Sequence, residues 1–386
     1  MRTLKALTAA ALIAGGVVVP AAGPAAAAVT PPPCTTSVAS ASTLNVNTSF
    51  LSVSGSPFGI ATTSGGNYAF AATDTPNSVL VLSTTAFTPH VVRTISLSAA
   101  PEGVALTPDG KYLLVASNSG AIVISVALAE NSTANPVLGT LTSAGAGAIQ
   151  VAFSADGNFA FVTLEDSQEA AVFNFAQALA SGFATSGLVG YIPLNNAPVG
   201  MAVSPNGQFL YVTSETITGQ GQEGSLSVVN VATAETNPAG SVINTVDAGC
   251  NPVRVIASAD GKYVWVTARA SDALLVFKAA ALQSSIATSA LLAWTSVREA
   301  PVDLAFASGG ADIVVADSNR FMVQGQTADL GVVNVADVLA GQPGLVGKIT
   351  SGLFPRELSL KANGTTLLAA NYSSQQVEAV DVSSLP

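Results

Sequence analysis

Histidine is almost missing from this 386-residue chain: one residue, His90, stands in the stretch FTPHVVRTI. That scarcity excludes a His-rich zinc site, a catalytic histidine pair and a Ser-His-Asp triad in their usual forms. His90 itself reads as a solvated residue between the third and fourth strands of a repeat unit. Cysteine is nearly as scarce. Cys34 and Cys250 are too few for a disulfide framework but enough for one bridge in an oxidising compartment, and no histidine or base motif makes either a nucleophile. Charged residues are only 9% of the chain and the net charge is −10, so nucleic acid is a poor partner. No GxGxxG or P-loop follows a strand and opens a helix, no calcium-loop motif is present, and no cofactor or metal is expected. Beyond the N-terminal region no run of eighteen apolar residues occurs, so no membrane span is expected.

What the chain does have begins with Arg2 and Lys5, an apolar run from Leu7 to Val19 and an alanine-rich stretch to Ala28, the pattern of a secretory signal over residues 1–28. Cleavage there would remove two of the 13 basic residues and none of the 23 acidic ones, leaving a net charge of −12 on a secreted, extracellular or surface-associated protein. Residues 29–47 then form a tail that a Cys34–Cys250 bridge would tie to the body of the protein.

Residues 48–386 carry a repeat. An apolar loop residue, usually proline, is followed nine positions later by a turn glycine at Pro57/Gly66, Pro101/Gly110, Ala148/Gly157, Pro198/Gly207, Pro252/Gly261, Pro301/Gly310 and Pro355/Gly364. Successive loop residues lie 44 to 54 positions apart, a period of propellers, solenoids or arrays. Four short strands fit each period, as in GVALT, YLLVAS, AIVISVA and LGTLTS, with Asp109-Gly110 supplying the positive φ angles of the first hairpin turn. Seven such units make an all-β, seven-bladed β-propeller of four-stranded antiparallel blades. The seventh repeat has three strands, ending in QVEAVDVSS, while FLSVSGSP upstream of the first repeat reads like the fourth-strand segment RTISLSAAP. The N-terminal strand is therefore expected to complete the last blade and cover its edge.

The segments SPNGQFLYVTSE, SADGKYVWVTARASDALLVF and TPDGKYLLVASNSGAIVISV resemble the YVTN-type repeats of seven-bladed propellers, the group that includes lactonase-like propellers related to 6-phosphogluconolactonase. The resemblance covers nearly the whole chain after the signal and implies the fold. It does not decide the activity, because one fold hosts many functions.

In such a propeller the loops entering the innermost strands and those joining second to third strands gather at one mouth of the central channel. Acidic residues, Glu102 among them, dominate that face in the first four repeats, whereas Arg254, Arg269, Arg320 and Arg356 fall in repeats five to seven. Four of so few basic residues on neighbouring loops suggest an anion-binding sector, since arginine matches carboxylate and phosphate oxygens in a bidentate way. Asp303, Glu357 and Asp317 beside them are candidate general bases. The competing reading makes all of these ion pairs between blades. Two long loops, 215–232 and 319–336, share a Gly-Gln element and overhang the same mouth.

Two functions remain. One is a monomeric binding or scaffold propeller that takes a protein or glycan, or a small anionic molecule, at the channel mouth. The other is a lactonase-like hydrolase in which a carboxylate activates water against a lactone while the arginines hold an acidic substituent.

Overall fold

The computed structural model describes residues 29–34, 38–217, 221–284, 290–322, 324–325 and 327–386. The secretory segment read over 1–28 lies outside the described residues. Seven four-stranded antiparallel sheets surround one axis. Blade two is representative. Its strands Pro101–Leu106, Tyr112–Ser117, Gly120–Ser125 and Val137–Thr142 run outward from the axis in chain order.

The middle strands explain why half the chain is apolar. Sheets stacked face to face bury both faces of a strand, so adjacent residues must both be apolar. In Tyr112–Ser117, Leu113 packs into the layer shared with blade one and Leu114 into the layer shared with blade three. Seven such apolar layers fill the seven gaps between blades. The outermost strands, by contrast, alternate with solvent, as in Val242–Cys250.

The hairpin turns differ in detail from expectation. At Asp109-Gly110 only the glycine takes a positive φ, 70°. The aspartate acts through its side chain, Oδ1 accepting from Thr107 Oγ1 at 2.7 Å and from the Lys111 amide at 3.0 Å. Ser154/Asp156, Ser204/Asn206 and Ser258/Asp260 repeat the arrangement. A side-chain turn of this kind holds the hairpin without a second left-handed residue. The third strand is also shorter than its sequence suggests: in blade two it ends at Ser125, whose hydroxyl caps a short helix, Val126–Asn131.

Closure follows the predicted route. Thr48–Ser52 pairs antiparallel with Gln376–Asp381 and makes the fourth strand of blade seven. Upstream, the tail is a strap across neighbouring blades. Leu44 donates to the Lys348 carbonyl of blade six, Ala39 to the Val297 carbonyl just beyond the outer strand of blade five, and the Trp294 indole of that strand to Thr30. Cys34 is disulfide-bonded to Cys250 at the end of the outer strand of blade four, 216 positions away, with Cα atoms 5.3 Å apart. The strap thus runs from blade seven back to blade four.

A cross-link closing so long a loop restricts the unfolded chain, a contribution of about 2–4 kcal/mol. The Cys34→Ser/Cys250→Ser protein is expected to unfold at lower denaturant by that amount with an unchanged far-ultraviolet spectrum; equal stability would mean that the strap's hydrogen bonds already hold the ring. Deleting residues 48–56 is expected to do more: light scattering should report aggregation from the bared edge at Gln376–Asp381.

Candidate functional site

A β-bulge sits at the same place in every innermost strand, just after the loop residue, between Pro101 and Val104, Ala148 and Val151, or Pro252 and Val255, for example. Residues expected in loops before these strands are therefore bulge residues inside them. A bulge re-aims side chains, and here it gives each blade two neighbouring positions with different tasks.

The first position after the loop residue faces the channel: Ile149, Val199, Val253, Val302 and Arg356 line one cavity there. The second faces the next blade. Where it is glycine, backbones meet, and a Cβ on Gly59 or Gly103 would lie 2.7 Å from the carbonyl oxygen of Glu102 or Ile149. Elsewhere a long side chain crosses the gap. Gln150 Oε1 accepts from the Met201 amide at 2.6 Å, Asp303 Oδ2 from Leu358 at 2.6 Å, and Glu357 Oε1 from Ile60 at 3.4 Å. Arg254 reaches backward instead, its Nη1 donating to the Val199 carbonyl at 3.0 Å. The threonine of the repeat signature serves the bulge: Thr163 and Thr267 accept from the bulge amides of Gln150 and Arg254 at 3.0 Å each.

The cavity at the mouth measures about 130 Å³. Ile149, Val199, Val253 and Val302 make its apolar wall, and Glu165, Glu215, Arg254, Arg269, Arg320 and Arg356 its charged one. Arg269 is committed to Glu215 by two parallel hydrogen bonds of 2.8 Å. Arg254 is buried and lies 3.8 Å from Glu357. Arg356 and Arg320 make no ion pair among the described residues. The Arg356 guanidinium stacks 3.4 Å above the Phe58 ring, with Phe354 and Tyr372 alongside. Its Nε has no hydrogen-bond partner, and burial together with the neighbouring Arg254 pushes its pKa down to about 9, so it stays charged at neutral pH. Arg320 lies 5.5 Å from Phe354 and 5.9 Å from Phe321, and burial and Arg269 lower its pKa too. Glu165, on the same wall, is raised by burial and then by Glu215 and Asp166.

The eight candidate residues thus separate. Arg254, Arg269, Arg320 and Arg356 converge on one cavity. Asp303 and Glu357 are buried beside Arg254, off the cavity lining, each bound to the next blade; burial raises both pKa values while Arg254 opposes it. Glu102 lies beside Arg356, and burial, opposed by Arg356, raises its pKa to about 7. Asp317 is not brought to the site. It is buried beside Asp329 and Arg298 and accepts from the Gly331 amide at 3.1 Å. His90 opens the exposed outer strand of blade one, opposite Ser83. The aromatic shelf of Phe58, Phe354 and Tyr372 and the aliphatic wall were absent from the candidates, although the wall is the position after each loop residue. Among the described residues no group of three or more His, Cys, Asp or Glu side chains is arranged to hold a metal ion, and no helix is long and apolar enough to cross a membrane.

Residues 104–285 match the family model described as "Lactonase, 7-bladed beta-propeller". No curated protein matches the chain. Among solved structures, hydrazine synthase of Kuenenia stuttgartiensis superposes with a TM-score of 0.68 at 18% identity over 84% of this chain and 95% of that one, which shows the fold alone. The chain is a seven-bladed propeller, and over residues 104–285 its sequence is similar to the lactonase propeller family.

The raised pKa of Glu102 has a sign that can be tested. Between about 4.5 and 7 the folded protein retains a proton that the unfolded chain releases. That contribution to stability is complete below the lower value and is lost as pH rises through the upper one. Glu102→Gln, permanently neutral, is expected to be more stable than the parent at pH 8 by on the order of 1 kcal/mol, allowing for solvent screening, and equal to it at pH 4. Denaturant titration at the two pH values checks this; a variant less stable at pH 8 would mean that the ionised carboxylate is held by Arg356.

Proposed function

We propose that the propeller is an exported binding module whose channel mouth takes a small organic anion. The observation that carries this reading is the pair Arg320 and Arg356, both on one cavity and neither ion-paired among the described residues. A merely structural ring of charges would neutralise every arginine, as Glu215 neutralises Arg269. Guanidiniums braced on aromatic rings are also preorganised, so little rotamer entropy is lost when an anion arrives. The aliphatic wall opposite fits the carbon skeleton of an organic acid better than a bare inorganic ion. Export is supported by the N-terminal sequence pattern and by the Cys34–Cys250 bridge, which suits an oxidising compartment.

A lactone hydrolase is the second reading, and one observation favours it: Glu165 lines the same cavity, where burial raises its pKa. A carboxylate so placed would take a proton from water as the water attacks the ring carbonyl, while Arg320 and Arg356 stabilise the oxyanion; collapse of that intermediate would break the ring C–O bond, and Glu165 would return the proton to the leaving alkoxide. Glu165 suits the task better than Asp303 or Glu357, which are off the cavity lining, each with one oxygen on a neighbouring amide.

Calorimetry with acetate, succinate and the neutral succinamide, beside a proton-release assay on aliphatic and sugar lactones, separates these outcomes. Binding of the acids but not the amide is expected, weakened about ten- to a hundredfold in Arg356→Gln, the 1.5–3 kcal/mol of a charge-assisted hydrogen bond. Equal binding of acid and amide would overturn the anion site. Turnover abolished by Glu165→Gln, with acid binding retained, would establish the hydrolase.

A further inference from the structure

Next to the charged cavity lies a second, larger one of about 680 Å³, whose lining includes Arg320, Met322, Leu353, Phe354 and Tyr372. Arg320 belongs to both cavities. Phe354 stands between them, its ring 5.3 Å from the Arg356 guanidinium, 5.5 Å from that of Arg320 and 5.6 Å from the Tyr372 ring. Among the described residues the three most exposed large apolar side chains are Met322 at 85%, Leu353 at 61% and Phe321 at 54%; the first two line this cavity and the Phe321 ring lies 5.9 Å from the Arg320 guanidinium. Apolar surface gathered beside a polar pocket marks a binding site, whereas scattered apolar residues carry no such message.

The backbone adds a separate observation. The residue before the loop position is left-handed in blades three to seven, at Gly147, Ala197, Asn251, Ala300 and Phe354. Four of these are small or are asparagine. Phe354, at φ 55°, is the bulky exception, in a region that bulky residues rarely adopt. That backbone holds its ring against the guanidiniums of Arg320 and Arg356 and on the wall of the second cavity.

We propose that the two cavities form one site for an elongated amphiphilic carboxylate, its head between Arg320 and Arg356 and its unbranched apolar body along Met322, Leu353 and Tyr372. This rests on the anion reading of the smaller cavity and deepens it. The charge of the arginines selects a carboxylate over an alcohol, and a groove continuous with them gives the chain a place to leave water. In the hydrolase reading the same groove would hold the alkyl substituent of a lactone.

The test is calorimetry of the disulfide-bonded protein with acetate, butanoate, hexanoate and octanoate, with octanol as the uncharged control. Affinity is expected to rise about fourfold for each methylene that enters the groove, at 0.8 kcal/mol each, and octanol to bind at least tenfold more weakly than octanoate. Leu353→Asn and Met322→Asn, which add no charge beside Arg320, should flatten the series. If acetate binds and the series is flat in the parent, or if octanol matches octanoate, the amphiphile proposal falls and the anion site stands. If no acid binds, both fall.

Discussion

The structure depends on one steric constraint: seven flat-faced sheets packed side by side around an axis bring their innermost strands into contact. Every inner strand carries a bulge near the same mouth, and the residue after it has nowhere to go but the neighbouring blade. Three blades answer with glycine, at Gly59, Gly103 and Gly200; a Cβ on Gly200 would overlap the Val253 carbonyl oxygen. Three answer with a side-chain oxygen that accepts the neighbour's amide, from Gln150, Asp303 and Glu357. Blade five answers with Arg254, which turns back to the Val199 carbonyl. The ring is thus fastened by polar bonds that the closing geometry requires, with apolar layers filling the space farther out.

Those fasteners bury charge. Asp303, Glu357 and Arg254 are buried together beside the channel, where isolated ions would be costly. Their mutual attraction and the backbone amides they bind offset part of that cost, and the raised pKa of both carboxyls reflects what is left. The same low-dielectric surroundings strengthen any charge just above them. Arg320 and Arg356 occupy that position, stacked on aromatic rings instead of on carboxylates. In the proposed function, an anion arriving there would complete that set of charges.

The repeat made the fold legible, because turn glycines, loop prolines and strand patterning are local and recur. Closure by Thr48–Ser52 was readable for the same reason: its segment resembles a fourth strand. The site was legible only to the level of the arginines. Their clustering in repeats five to seven is a property of register, and all four reach one cavity. Which carboxylate stands free is a property of side-chain reach across blades, which no spacing encodes. Asp303 and Glu357 therefore look like bases in the sequence and act as fasteners in the structure. Asp317, at the equivalent end of a second strand, turns along its own blade to Gly331. The aromatic shelf was hidden because Phe58, Phe354 and Tyr372 come from opposite ends of the chain and meet only once the ring closes.

The central claim is that two guanidiniums at the channel mouth are free to receive an anion. Anomalous diffraction from crystals soaked in bromide tests it most directly, because a heavy halide reports its position without any assumption about the natural ligand. The account predicts a bromide peak in the cavity within hydrogen-bonding reach of both Arg320 and Arg356. An empty cavity with either arginine bound to Glu102 or Glu165 would contradict it.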